Sequence, residues 1–137
     1  MVCLIDTNVI LDYTLQREPF RQAAVDCVER LVFRKTAAYI TASSMTDIYY
    51  TTRKHLKDKA AAKETVAGLL KVFLTAPVDR TDLLNALTVG IEDYEDALIA
   101  VCAKRIKADY IITRNVKDFQ SSPVNPLTPE EFLSTDS

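Results

Sequence analysis

Residues 2–12 read VCLIDTNVILD, an apolar run that meets its first charged residue at Asp6. The run Val2–Ile5 is short and has no polar alternation, which is typical of a strand buried on both faces of a sheet. Apolar residues then recur at helical spacing, which predicts a helix over Thr7–Leu15. Asp6 is therefore expected at the carboxyl end of a buried strand.

Strand-like and helix-like segments continue to alternate along the rest of the chain. Further strands are predicted over Thr36–Ile40, Ala76–Val78, Tyr110–Thr113 and, as an edge strand, Pro126–Leu127. Helices are predicted from Pro19 to Arg34, from Ser43 or Ser44 to Leu56, over Lys59–Phe73, Thr81–Leu87 and Asp93–Lys107, and from Thr128 onward, with a loop at Asn115–Phe119. This alternation predicts an α/β fold, a three-layer α/β/α sandwich with a mostly parallel sheet of about four to five strands.

Length and composition are those of an ordinary globular chain. The 137 residues fit one domain over 1–137, and the chain is 48% hydrophobic and 26% charged. No apolar run approaches the roughly 18 residues of a membrane span, and the apolar start is too short for a signal peptide. We therefore expect a cytoplasmic protein without membrane association. We also expect the last residues, Ser134–Ser137, to be frayed, as chain termini commonly are. The net charge of −2 indicates no general affinity for nucleic acid, and the single histidine, His55, excludes a catalytic histidine pair.

Carboxylates follow several of the predicted strands. Asp6 ends the first strand, Asp47 follows the second, and Asp118 follows the strand at residues 110–113. Asp93 and Asp96 share one face at the start of a helix. Open parallel sheets bind ligands at the carboxyl ends of their strands, so these acids are expected to meet at one edge. An all-oxygen ligand set suits magnesium or manganese, and two such ions about 4 Å apart can promote phosphodiester cleavage.

Each of these acids also has a structural explanation. Asp6 could cap the helix that follows it, and Asp47 could be a first-turn acid that the helix dipole favours. Asp93 could be an N-cap with Asp96 in the first turn, and Asp118 could be a solvated loop residue. The set is more specific than any member, because every acid falls beside a predicted strand end.

Basic and aromatic residues near these acids have two possible roles. Arg114 could hold a substrate phosphate or lie solvated in a loop. Tyr49 and Tyr50, with Arg53 and Lys54 on the same predicted helix, could stack on and neutralise RNA. The two tyrosines could equally be core or interface aromatics.

Four stretches of the chain together resemble the PIN-domain family, which includes the VapC-type toxins. The first is LIDTNVILD at residues 4–12, and the second is DYEDALIA at residues 93–100. The third is ADYIITRNVKDF at residues 108–119, and the last is LTPEEFL at residues 127–133. These stretches occur in the family's order and span nearly the whole chain.

The resemblance implies cleavage of single-stranded RNA with Mg²⁺ or Mn²⁺, by the toxin of a type II toxin–antitoxin pair. An antitoxin protein and a second copy of the chain, in a homodimer, are the implied partners. The implied metal-site acids are Asp6, Asp93, Asp96 and Asp118, and the implied catalytic set is Asp6, Asp47, Asp96 and Asp118. Thr7, Asn8, Thr113 and Asn115 are expected to orient the ligands or water, and Arg114 to contact the substrate.

One departure from the family pattern leaves an alternative open. Many members carry a glutamate where this chain has Asp47, whose side chain is one methylene shorter. The alternative is therefore a catalytically weak or silent PIN-like domain that binds RNA or a protein partner. Two other aspartate-dependent α/β classes fit poorly. A haloacid-dehalogenase-type phosphatase needs an aspartate where Asn8 stands, and a receiver domain would match only at Asp79 and Lys117.

Overall fold

Strands and helices alternate along the chain in the computed structural model, which describes residues 1–135. The strands are β1 (Val2–Ile5), β2 (Ala37–Thr41), β3 (Leu74–Ala76), β4 (Tyr110–Ile112) and β5 (Asn125–Leu127). The helices are α1 (Thr7–Thr14), α2 (Arg21–Phe33), α3 (Ala42–Leu56), α4 (Lys59–Val72), α5 (Arg80–Ala86), α6 (Tyr94–Arg105) and α7 (Pro129–Leu133). A 3-10 helix, Val116–Phe119, lies between β4 and β5.

The strands form one five-stranded sheet in the order β3-β2-β1-β4-β5, and every pairing is parallel. The predicted α/β fold with a mostly parallel sheet is confirmed. The chain winds outward in one direction from β1 through β2 to β3, and in the other through β4 to β5. The direction reverses between β1 and β4, and ligands of such sheets bind at the carboxyl ends of the strands at this reversal.

The sheet separates two apolar cores, as a three-layer sandwich requires. Successive residues of a strand face opposite sides, so Cys3 and Ile5 lie in the core under α1, α2, α3 and α4. Leu4 and Ile111 lie in the other core, beneath α6. Residues 97–103 of α6 are all buried, because this helix packs against the sheet on one side and against α5 on another.

Two element boundaries differ from the predictions. β3 covers Leu74–Ala76 and not Ala76–Val78, since Pro77 has no N–H with which to continue the ladder beside β2. α3 begins at Ala42, because the Thr41 hydroxyl caps it by accepting a hydrogen bond from the Ser44 N–H at 3.1 Å. Asp47 consequently lies in the second turn of α3 and not in the first.

Two shorter segments also differ from the predictions. The predicted loop at Asn115–Phe119 contains the 3-10 helix, and α5 is capped by Asp79 and not by Thr81. Residues predicted to be frayed are partly ordered, because the N–H groups of Ser134 and Thr135 donate to carbonyls of α7. Asp136 and Ser137 lie outside the described residues.

Within residues 1–135, no helix combines the length and the apolar character that crossing a membrane requires.

Candidate active site

Asp6 lies at the point where the sheet reverses its winding direction. It occupies the N-cap position of α1, yet its side chain makes no capping hydrogen bond and is directed to the neighbouring strand end. The Thr113 hydroxyl, just past β4, donates to Oδ2 of Asp6 at 2.8 Å and accepts the Asn115 N–H at 3.0 Å. Burial raises the pKa of Asp6, and the hydrogen bond from Thr113 partly offsets that rise. The loop after β4 thus orients the carboxylate that follows β1.

Asp96 is the centre of a group of carboxylates that we call the acidic cluster: Asp6, Asp93, Glu95, Asp96 and Asp118. Burial, followed by the negative charges of Asp6, Asp93, Asp118 and Glu95, raises the pKa of Asp96 to about 7. Asp93 caps α6 by accepting a hydrogen bond from the Asp96 N–H at 3.0 Å, which engages only its Oδ1. The structure therefore brings together four of the predicted acids, which come from three separate segments of the chain.

An open cleft of about 600 Å³ gives solvent access to this cluster. Asp93, Asp96 and Asp118 line the cleft together with Lys117. Asp118 is exposed on the 3-10 helix, one residue beyond Lys117. Glu92 lines the cleft as well, so the cleft presents four carboxylates and one cation to a ligand that enters from solvent.

Glu95 was not predicted as a site residue, although it stands between Asp93 and Asp96 in the sequence. The Thr7 hydroxyl is shared between Oγ of Ser44, at 2.7 Å, and Oε1 of Glu95, at 3.2 Å. Desolvation and then the charge of Asp47 raise the pKa of Glu95. Asp47 is exposed and adjoins the cluster on the Glu95 side, while the negative charges that most affect Asp96 come from other residues.

Asp12 lies in α1, two turns beyond Asp6, and was not predicted to have a role. It is 1% exposed, and its Oδ1 accepts a hydrogen bond from Nε of Arg17 at 2.8 Å. The same arginine contacts Asn8 through the backbone carbonyl at 3.2 Å and the side-chain oxygen at 3.3 Å. Asn8, predicted to orient ligands, is therefore held in place by Arg17.

Arg114 contacts two side chains within the protein, those of Asp12 and Phe20. Its Nε lies 2.8 Å from Oδ2 of Asp12, an ion pair whose N–H is not aligned for a hydrogen bond. Its guanidinium also lies 3.9 Å from the centre of the Phe20 ring, in a cation–π contact. The predicted phosphate contact of Arg114 stays a prediction. The positive charge of Arg114 also acts on Asp6, where it lowers the pKa against the effect of burial.

The donor chemistry of the acidic cluster fits a hard divalent cation. All of its side chains present oxygen, and the mutual repulsion that raises the pKa of Asp96 is relieved when a cation binds. Among residues 1–135, however, no three acidic, histidine or cysteine side chains already stand at metal-ligand spacing. The carboxylates would have to draw closer around an ion, and the exposed Asp118 and half-buried Asp96 have room to do so.

Taken together, an all-parallel α/β sheet with carboxylates gathered at its reversal point defines a class of α/β proteins with an acidic ligand site. Residues 2–117 match the family model described as PIN domain. The chain is also 30% identical to Ribonuclease VapC1 of Aquifex aeolicus over 131 residues, which cover 93% of this chain and 90% of that protein. This chain belongs to the PIN-domain family.

Solved structures have the same fold at lower sequence identity. The chain is similar to VapBC2 from Rickettsia felis bound to a DNA fragment from their promoter, with a TM-score of 0.73 and 18% identity. That match covers 93% of this chain and 98% of the other. A toxin–antitoxin complex from Klebsiella pneumoniae matches with a TM-score of 0.71 and 19% identity, over 93% of this chain and 97% of the other. At these identities the likeness shows the fold.

Proposed function

We propose that this chain is an endoribonuclease that cleaves single-stranded RNA with Mg²⁺ or Mn²⁺. The observation that carries the proposal is Asp96, a half-buried carboxyl surrounded by four other acids, with its pKa raised to about 7. Across residues 1–135, the ion pairs involve Arg17, Arg105 and Arg114, and none of them is made to the acidic cluster. A concentration of negative charge without an ion-pair partner favours a bound cation.

In this proposal Asp6, Asp96 and Asp118 hold the metal, with Asp93 contributing its free carboxylate oxygen. When bound, the divalent ion acts as a Lewis acid that activates water and stabilises the leaving oxygen of the phosphodiester. Thr113 orients Asp6 through its hydrogen bond to that carboxylate. Asn8, beside Thr7 at the start of α1, is held by Arg17. Thr7 orients Glu95, and Asn115 fixes the Thr113 hydroxyl.

The acids at the edge of the cluster have different proposed roles. Asp47 adjoins Glu95 and is exposed, so we assign it to water or to an ion through water and not to direct metal contact. Lys117 lines the cleft beside Asp118 and is, like Arg114, a proposed contact to a substrate phosphate.

The toxin role is supported by the likeness to proteins of known assemblies. The Aquifex aeolicus relative is a ribonuclease, and the Klebsiella pneumoniae structure is a toxin–antitoxin complex. We propose that this chain is likewise the toxin of a type II pair, acts in the cytoplasm and is inhibited by an antitoxin protein. We also propose that the chain forms a homodimer, and this proposal rests on the family resemblance alone.

Cleavage of an unstructured labelled RNA with Mg²⁺ or Mn²⁺ tests the activity. Asp96→Asn should lower the cleavage rate about 100-fold or more, since metal catalysis supplies several kcal/mol and each 1.36 kcal/mol is tenfold. Asp26→Asn is the matched control, because Asp26 lies on α2 in a separate surface pocket, and it should leave the rate unchanged. Equal rates for the wild type and Asp96→Asn would contradict the proposal.

A second candidate is a domain that binds RNA or a protein without turnover. It is favoured by the absence of ready-made metal spacing among residues 1–135 and by the exposure of Asp47. Wild-type protein that binds RNA but does not cleave it at any Mn²⁺ concentration would select this candidate.

A further inference from the structure

An apolar pocket of about 330 Å³ lies between α3 and α4, one helical turn from Asp47. We call it the tyrosine pocket; it is lined by Met45, Thr46, Tyr49, Tyr50, Lys63 and Val66. The rings of Tyr49 and Tyr50 stack with centroids 5.1 Å apart and planes 23° from parallel. Tyr50 is 64% exposed, so its ring is available to a ligand although it is already oriented by its neighbour.

The chemistry of the tyrosine pocket suits a flat, heteroaromatic ligand that carries negative charge. The pocket combines exposed aromatic surface with an apolar floor formed by Met45, which is 8% exposed. Lys63 supplies a cation at its wall. Stacking on aromatic side chains is how single-stranded nucleic acids bind with little dependence on base identity.

Further cations extend from the pocket along α3. Arg53 and Lys54 lie three and four residues after Tyr50 and therefore share its face of the helix. Neither makes an ion pair within the part of the chain that the structure describes. This local basic surface contrasts with the net charge of −2 of the whole chain, and it is complementary to a phosphate backbone.

The pocket and the acidic cluster are connected through Asp47. Asp47 and Tyr50 are three residues apart on one helix face, or about 4.5 Å along the axis at about 1.5 Å per residue. The Thr7 hydroxyl lies 2.7 Å from Oγ of Ser44, one turn before Asp47 on α3, and 3.2 Å from Oε1 of Glu95, so the start of α3 adjoins the acidic cluster. A strand whose phosphate lies at the cluster can therefore reach the pocket with a base close to that phosphate.

We propose that the tyrosine pocket is a nucleobase-binding subsite for single-stranded RNA, in which a base stacks on Tyr50 while Lys63, Arg53 and Lys54 contact the flanking phosphates. The inference rests on the proposed function, because it takes RNA as the ligand. It adds that the position of the cleaved bond is set by one stacked base beside the acidic cluster, and not by the carboxylates alone.

Binding in the absence of cleavage tests this subsite. The probe is a short, unstructured, fluorescein-labelled RNA, titrated by anisotropy in EDTA against Asp96→Asn protein. Adding Tyr50→Ala should weaken binding about 5- to 150-fold, the range that alanine substitution of a base-stacking aromatic produces. Tyr50→Phe should bind as the parent protein does, because it keeps the ring.

Phe33→Ala is the matched control, since Phe33 is 87% exposed at the end of α2, on the opposite edge of the sheet. It should leave RNA affinity unchanged. An abasic scan of the RNA sharpens the assignment. One abasic position should weaken binding to the parent protein, and the same position should have no effect in Tyr50→Ala.

Two results would overturn the subsite. Unchanged RNA affinity of Tyr50→Ala, with metal-dependent cleavage intact in protein that has Asp96, would remove the subsite and leave the nuclease proposal standing. A Tyr50→Ala protein that changes its mass in light scattering but keeps its RNA affinity would assign the surface to a second copy of the chain. Absence of cleavage by the wild type is a separate outcome, and it tests the proposed function alone.

Discussion

Two sets of aspartates, buried or half-buried, lie in opposite electrostatic surroundings in this protein. Asp12 and Asp82 are 1% and 2% exposed, and each is paired with arginine. Asp6 is 3% exposed and is paired with the Thr113 hydroxyl, while Asp96 is surrounded by acids. Burial alone therefore does not separate the two sets; the presence or absence of an arginine partner does.

The Asp82 pair shows how the neutralised set contributes to the fold. Nε and Nη2 of Arg105 each donate to one carboxylate oxygen of Asp82 at 2.9 Å, which joins α6 to α5. Burial opposes ionisation of Asp82, but the hydrogen bonds from Arg105 and Asp79 keep its pKa below the usual range. The pKa of Asp96 is raised instead, because the negative charges of its neighbours add to the effect of burial.

The largest effect is expected from removing the charge of Asp12. Asp12→Asn leaves Arg17 and Arg114 without their common partner, so the free energy of unfolding should fall by about 3 kcal/mol, the lower end for a broken buried pair. Urea denaturation at neutral pH measures the change. Asp96→Asn is the comparison, and it should not destabilise the metal-free protein. An equal decrease in the free energy of unfolding for both variants would contradict the distinction between the two sets of aspartates.

An intermediate effect is expected at the contact that links the strand ends. Thr113→Val is nearly the same size but removes the hydroxyl that donates to Asp6 and accepts from Asn115. The free energy of unfolding should fall by about 2 kcal/mol, as for a hydrogen bond to a charged group. The Mn²⁺-induced rise in Tm should also shrink, because Asp6 loses its orientation. Thr113→Ser restores the hydroxyl and should recover the Mn²⁺ response.

The smallest effect is expected in the pH dependence of stability. The pKa of Asp96 is about 7 in the folded protein and near 3.8 when unfolded, so the folded state holds the proton more tightly. The free energy of unfolding of metal-free protein should therefore fall as pH rises from about 4 to about 7, by about 1 kcal/mol after screening by water. Thermal melts across this range should show a shallower slope for Asp96→Asn, and saturating Mn²⁺ should reverse the decline. A wild-type slope of opposite sign would contradict the shifted pKa.

The expectation that acids would gather at one edge followed from strand ends alone, and the structure brings Asp6, Asp93, Asp96 and Asp118 together there. The position of Asp47 was harder to predict, because the cap at Thr41 moves the start of α3 and places Asp47 in the second turn. Glu95 was missed because two flanking aspartates already explained the local pattern. Its contact with Thr7 joins residues that are 88 positions apart.

The sequence by itself determined the alternation of strand and helix, and with it the parallel sheet and the position of Asp6 at a strand end. Those features depend on the local periodicity of apolar residues, which is visible within a few turns of chain. Only the tertiary structure decided which aspartates pair with an arginine side chain. Asp12 pairs with Arg114, which is 102 positions later in the chain, and no local pattern predicted that Arg114 would be the partner of a buried carboxylate. Charge pairing and pKa depend on neighbours in space, so no local pattern could separate the paired aspartates from the acidic cluster.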